Sequence, residues 1–292
     1  MDGILNINKP PGRTSADVVA AVKRLIRERR VGHAGTLDPM ASGVLPVCFG
    51  QGTRVVEFLM EAHKVYKAQI ELGIATDTHD ASGKITRQAD PSRVNQEQLE
   101  LALDSFRGTI QQTPPMYSAL KYRGQRLYKL ARAGITVNRQ SRQARIYRLK
   151  LVDFEPPLVT LEIECGKGTY IRSLADDLGE LLGCGAHLKG LVRLRYGPFS
   201  ITEAVSLAQL EDGNWQHLAY PIDVVLSHCA AVVLNDDLGQ VVKNGGSVAA
   251  DDYPAGADTE GRCRAYSQDG CFLAVLRFSP ESGRWQPEKV FV

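Results

Sequence analysis

Two stretches of this sequence alternate between apolar and polar side chains, and they limit the fold more than any other feature. Tyr66, Ala68, Ile70, Leu72 and Ile74 fall on one face, with Lys67, Gln69 and Glu71 on the other. Val159, Leu161, Ile163 and Cys165 alternate in the same way with Thr160, Glu162 and Glu164. A period of two places both stretches in half-buried strands of a sheet with only one face on the core. Helical spacing occurs elsewhere. Val18, Val19, Val22, Leu25 and Ile26 follow an S/T-x-x-D/E start signal at Thr14 and Asp17. Leu99, Leu103 and Phe106 predict a helix ending at Gly108, and Ile171, Leu174, Leu178 and Leu181 predict one ended by Gly183. Strands and helices mix without regular β-α alternation, so the expected class is α+β with a mixed sheet.

The chain has 292 residues, 43% hydrophobic and 23% charged, enough to bury a core without covalent staples. That composition excludes a disordered chain, a collagen and a disulfide-framed mini-protein. The six cysteines include no C-x-x-C pair, so free, buried thiols in a reducing compartment are expected. The six histidines form no ligand cluster, and no metal is expected. The opening MDGILNINKPPG is not a leader, and no run approaches the roughly 18 apolar residues of a membrane span. The expected place is the cytoplasm.

Net charge is only +2, which by itself argues against a nucleic-acid partner. Its distribution argues the reverse. Ten cations and no acid lie between Lys121 and Lys150, and Tyr117, Tyr122, Tyr128 and Tyr147 lie in or beside that run. Cations neutralise phosphates and aromatic rings stack on unpaired bases, so the segment reads as an RNA-binding surface. Glu203 to Gly261 holds ten acids and one base, Lys243. A break near Ser227–Ala230 divides the chain into residues 1–227 and a small β-rich unit, 228–292, with strands at Ala231–Leu234 and Phe272–Phe278.

Asp38 lies in a stretch of glycines and small residues otherwise free of charge, and Pro39 biases it toward an extended backbone. It reads either as a catalytic carboxylate or as an Asp-Pro turn residue. A carboxylate screened from water needs a cation or it neutralises. Arg172, just inside a helix after the turn Gly166-Lys167-Gly168, is a candidate partner, and a surface pair with Asp176 is the alternative. Gly166-Lys167-Gly168-Thr169 lacks the first glycine of a phosphate loop. Asp77, His79 and Asp80 read as turn caps rather than metal ligands.

The stretch GHAGTLDPMASGVLPV, with Asp38 inside it, resembles the signature of the tRNA pseudouridine-55 synthases, the TruB family. Four further segments agree in order: GILNINKPPGRTS (3–15), VYKAQIELGIATDTHDASG (65–83), QTPPMYSALKYRGQRLYKLAR (112–132) and CGKGTYIRSLADDLGELLGCGAHLKGLVRLRYGPF (165–199). The resemblance implies a pseudouridine synthase fold, with a mixed, mostly antiparallel sheet flanked by helices and a small PUA-like C-terminal domain. It implies isomerisation of one T-loop uridine of tRNA without metal or cofactor, after the base is flipped out of its stack. By motif position, Asp38 is the essential carboxylate, Arg172 its partner and Tyr66 the ring stacked on the flipped uracil, with a part in proton removal from C5. His33 fills the vacated base position, and Tyr170 and Leu191 complete the pocket. Lys9 falls with the substrate-contacting positions but is better read as support for the loop. Residues 114–150 correspond to a thumb that closes on the tRNA arm through Arg123, Arg126, Lys129 and Arg132, and that orders on RNA. The implied protein is a monomer with no membrane, DNA or obligate protein partner. It is distinct from the RNA-guided relatives, which carry extra N-terminal sequence and lack the thumb. The competing reading is a non-catalytic protein that binds or folds tRNA, which has no need of the Asp38, Tyr66 and Arg172 set.

Overall fold

The computed structural model describes residues 1–249 and 261–291. Its larger unit is built on a ten-stranded sheet. Across the main path the strands run Ala219–Tyr220, Gly3–Lys9, Ser42–Phe49, Ala186–Tyr196, Lys64–Leu72, Leu158–Cys165, Arg142–Glu155 and Gly108–Gln112. Val31–His33 adds to Ser42–Phe49, and Phe199–Ser200 folds back on Ala186–Tyr196. Every pair is antiparallel except one: Ser42–Phe49 meets Ala186–Tyr196 in parallel, Ser42 opposite Val192 and Gly43 opposite Arg193. The sheet is therefore mixed and mostly antiparallel, as expected.

The alternating segments form neighbouring strands, with Tyr66 opposite Ile163 on one side and Arg193 on the other. Their apolar side chains join one core cluster with the helices Gln96–Asp104 and Ile171–Leu181. A second cluster packs Val18 and Val22 of the helix Ser15–Leu25 on Leu5, Ile7, Leu45 and Val47. That helix begins where its sequence signal placed it. The Thr14 hydroxyl accepts the Asp17 N–H at 3.1 Å, and the Asp17 carboxylate accepts the Thr14 N–H at 2.8 Å.

Some boundaries differ from expectation. The strand starting at Lys64 stops at Leu72, and Gly73, with φ of +88°, turns the chain into a separate short strand, Ile74–Thr76. Gly108 opens a sheet strand directly after the helix that ends at Asp104. The basic run is two structures. Residues 121–126 form a small hairpin followed by the helix Leu127–Arg132. Arg142–Glu155 is a strand of the main sheet, so the segment standing apart from the sheet ends before Arg142, not at residue 150.

A five-stranded sheet follows, ordered Ala230–Leu234, Arg262–Ser267, Phe272–Ser279, Arg284–Val290 and Val248–Ala249, with the helix Asp236–Lys243 packed on it. It does not hang free. Val275, Phe291 and Cys229 share one apolar cluster with Ile4, Val55, Leu59 and Phe199 of the larger unit. The Arg54 guanidinium lies 5.3 Å over the Phe291 ring and donates to the Val290 carbonyl, and Lys289 pairs with Glu57. Of the six cysteines, five are buried and Cys271 is exposed. Among the described residues, no helix is long and apolar enough to cross a membrane.

Candidate active site

Asp38 sits in the loop joining the strand Val31–His33 to Ser42–Phe49, above the single parallel junction of the sheet. The loop is pinned on both sides of the carboxylate. The Ser15 hydroxyl accepts the Leu37 N–H at 2.9 Å and donates to the Leu37 carbonyl at 3.1 Å. The Pro39 carbonyl accepts from the Gly12 N–H at 2.8 Å and from the Lys9 ammonium at 3.3 Å. Gly43 has φ of +100°, and a Cβ there would stand 2.3 Å from the Arg193 carbonyl. Only glycine lets the backbone leave the loop so close to the neighbouring strand.

The helix Ile171–Leu181 brings Arg172 to this loop. Its Nε lies 2.8 Å from Asp38 Oδ2 and its Nη2 3.1 Å from Oδ1, a two-pronged pair. Arg172 is 5% exposed on its side chain, while Asp38 keeps 35% of its side chain open to the cleft. The remaining donors are used as well: Nη2 donates to the Tyr117 carbonyl at 2.8 Å and Nη1 to the Thr78 carbonyl at 3.3 Å. A second carboxylate, Asp80 Oδ2, stands 3.7 Å from Nη1. Asp176, the alternative partner for Arg172, faces His79 instead, at 3.1 Å.

Burial, with Asp80 nearby, holds the Asp38 carboxyl above its ordinary value, against the downward pull of Arg172. The carboxyl group is thus poorly solvated and paired with a guanidinium, an environment suited to attack or proton abstraction.

Tyr66 is 8% exposed and lies in the same core cluster as Leu37 and Leu191. Leu191 stands opposite Ala68 in the register, so Leu191, Ala68, Tyr66 and Arg193 share one face of two adjacent strands. His33 ends its strand at the mouth of the loop, and burial and then Arg193 keep it neutral by lowering its pKa. Tyr170 precedes the helix carrying Arg172. Its N–H donates to Gln112 Oε1 at 3.1 Å, its carbonyl accepts from Gln112 Nε2 at 3.2 Å, and burial raises its phenol. Asp38 and Arg172 are paired, Tyr66 and Leu191 share the core cluster of Leu37, Tyr170 adjoins Arg172 in the chain, and His33 ends the strand leading into the Asp38 loop. Lys9 does not belong with them. It is fully buried, and its ammonium is spent on the carbonyls of Pro10, Arg13 and Pro39, which makes it a loop support rather than a substrate contact.

Arg123, Arg126, Lys129 and Arg132 are all exposed, and none makes a salt bridge among the described residues. Arg123 and Arg132 lie over the rings of Tyr122 and Tyr128, at 5.5 and 5.7 Å. Arg148, on the sheet strand, behaves differently and pairs with Glu162 at 2.5 Å. In the small unit, Arg262 is held by Glu288 at 2.7 Å and Arg264 donates to the Cys229 carbonyl at 3.1 Å. Asp251, Asp252, Asp258 and Glu260, four of the ten acids that mark this region in the sequence, lie outside the described residues.

Two residues escaped the sequence reading. Asp80 caps its turn as expected, accepting from Ser82 N–H at 3.0 Å and Thr78 Oγ1 at 2.7 Å, yet its other oxygen faces Arg172. Arg193 looks like an outward residue of an alternating strand but is 1% exposed. Among the described residues, no group of three or more His, Cys, Asp or Glu is placed to hold a metal.

Known proteins resemble this chain in sequence and fold. Residues 23–171 match the TruB family pseudouridylate synthase N-terminal domain, and residues 172–228 match the tRNA pseudouridylate synthase B C-terminal domain. The tRNA pseudouridine synthase B of Dehalococcoides mccartyi is 46% identical over 297 residues, covering 100% of this chain and 97% of that protein. The enzyme of the same name from Clostridium tetani is 43% identical over 84% of this chain and 85% of its own. Among solved structures, a Cbf5-Nop10-Gar1 complex contains a chain that superposes with a TM-score of 0.76 at 28% identity, covering 99% of this chain and 85% of that one. A likeness of that extent takes in both sheets and establishes the pseudouridine synthase fold. With two family models matched across residues 23–228 and relatives this similar over most of their length, the chain belongs to the TruB family of pseudouridylate synthases.

Proposed function

We propose that this isomerase acts on tRNA, converting the uridine at position 55 of the T-loop to pseudouridine with Asp38 as the essential carboxylate. The observation that carries the reading is the Asp38–Arg172 pair, closed on both oxygens and set beside Tyr66. A protein that only bound RNA would have no use for a poorly solvated carboxyl group paired with a buried guanidinium. The reaction breaks the C–N glycosidic bond, turns the uracil and joins it through C5, with no change of oxidation state.

The target base must first leave its stack, at a cost of roughly a few kcal/mol. Tyr66 then stacks on the extruded uracil, Tyr170 and Leu191 complete its pocket, and His33 fills the space the base vacates. Tyr66 is also the group nearest in chemistry to a base for the C5 proton. Arg123, Arg126, Lys129 and Arg132 engage the phosphates of the T-arm, which fits four exposed cations without carboxylate partners. The five-stranded C-terminal unit serves as a PUA-like RNA-binding module with few cations to spare, since Arg262 and Arg264 are committed internally. The protein works alone, as a monomer in the cytoplasm. The Nop10 and Gar1 of the structural neighbour belong to that assembly.

The test is Asp38→Asn. The variant is expected to bind a T stem-loop RNA as the wild type does and to make no pseudouridine in a single-turnover assay. Conversion at the wild-type rate would remove Asp38 from the mechanism.

A further inference from the structure

Arg193 is the largest fully buried side chain of the protein. Its Nε donates to the Val44 carbonyl at 2.6 Å and its Nη2 to the Gly35 carbonyl at 3.0 Å, so it clips together the two ends of the loop that carries Asp38. Its guanidinium lies 4.8 Å over the Tyr196 ring. Among the described residues it makes no salt bridge.

Two carbonyls and a ring could be satisfied by a neutral donor. A full positive charge without a counter-ion is an expensive way to satisfy them. The surroundings make the charge harder to explain. Lys9 and Lys64 are buried nearby, and burial, with Arg193 adding to it, pulls both ammonium groups down to about 8. The other groups facing Arg193 are His33, Cys165 and Tyr196, none of them a carboxylate. Tyr66 stands directly across from Arg193 in the antiparallel register, so the two side chains lie side by side on one face of the sheet.

We infer that Arg193 is a positioning residue for the isomerisation: its charge holds the Tyr66 phenol ready to accept the C5 proton, and the carbonyls of the catalytic loop fix its place. The inference rests on the proposed isomerisation. In the step assigned to it, Tyr66 enters as the phenolate, its own proton having passed to bulk water before the base is seated. Once the uracil is rejoined to the ribose through C5, the C5–H bond breaks and the proton passes to the phenolate. The freed pair forms the C5–C6 double bond, the C6–N1 double-bond pair moves to N1, and N1 takes a proton from water. Tyrosine is regenerated and nothing is oxidised or reduced. Burial drives the phenol up, and Arg193 opposes that rise without reversing it.

The experiment uses a T stem-loop RNA with hydrogen or deuterium at C5 of the target uridine, under single turnover with enzyme in excess. Arg193→Met and Arg193→Lys are compared with wild type, with folding followed by circular dichroism and affinity by filter binding. Expected are unchanged RNA affinity, a loss of about 100-fold in rate for Arg193→Met and a smaller loss for Arg193→Lys, which keeps the charge. A primary isotope effect is expected to appear in the variants and to be absent from wild type. A residue that only clips the loop would slow the steps at Asp38 without creating that isotope effect, so a folded, slow variant without it overturns the inference. Wild-type rate in either variant does the same. If Arg193→Met fails to fold, Arg193→Lys decides alone on the same criterion. A wild-type protein that makes no pseudouridine on this RNA would instead overturn the proposed function, and this inference with it.

Discussion

At Asp38 two effects oppose each other. Burial, reinforced by Asp80, pushes the carboxyl up, and the two-pronged contact with Arg172 pulls it down, with burial the larger. A carboxylate that must be ionised to act, and whose pKa is raised, loses its active form as pH falls, beginning above the ordinary value of 3.8. The acid limb of the pH–rate profile should therefore lie above the range of a free aspartate. Arg172→Lys replaces a planar fork by a point charge. Losing one charge-assisted hydrogen bond costs about 1.5–3 kcal/mol, so the rate should fall roughly 10- to 100-fold, with the acid limb moving further up. An acid limb at the ordinary aspartate position in both proteins would contradict this account. The need for a cation beside Asp38 was legible from charge alone, and Arg172 was found that way. Asp80 was not, because a turn-capping Asp and an Asp that also faces a buried arginine look the same in sequence. Arg193 was hidden by register: its strand shifts between Arg193 and Arg195, so the alternation of LVRLRY does not report which arginine is buried.

The elements that alternate cleanly were the easiest to read. Lys64–Leu72 and Leu158–Cys165 are antiparallel neighbours whose apolar faces meet one pair of helices. Residues 142–150, the first part of the strand Arg142–Glu155, were read as part of an RNA-binding thumb, and the physical reason is a bulge. Its buried residues Ala144, Ile146 and Leu149 change spacing from two to three where the register shifts between Ile146 and Arg148. That break erases the period-two signal and leaves only the cations visible. The division has a measurable consequence. Each phosphate contact contributes about −0.7 to −0.9 to the slope of log K against log salt. Replacing Arg123, Arg126, Lys129 and Arg132 with Gln should flatten that slope, whereas Arg148→Gln, already paired with Glu162, should leave it nearly unchanged. The reverse ranking would place the phosphate contacts on the sheet.

For the whole molecule, a net charge of +2 is a balance between regions. The unpaired cations project from the hairpin and helix at residues 121–132, and the acids gather toward the C-terminal part of the chain. The two units are held together by apolar packing. Because Val275 and Phe291 sit in one cluster with Ile4 and Leu59, thermal unfolding should give one calorimetric transition. Two well-separated transitions would mean that the junction is weaker than its packing indicates. The composition of the chain placed it among globular proteins, and a break near Ser227–Ala230 suggested a division there. The shared core across that division was not legible, since contacts between Ile4 and Phe291 leave no local pattern. The central claim is that Asp38, held by Arg172 at the sheet's single parallel junction, isomerises one tRNA uridine. Its most direct test is a map of pseudouridine on unmodified tRNA treated with the purified protein and with Asp38→Asn. The account predicts a single new pseudouridine at position 55 with the wild type and none with the variant, at equal tRNA binding. Modification at another position, or at position 55 with Asp38→Asn, would contradict it.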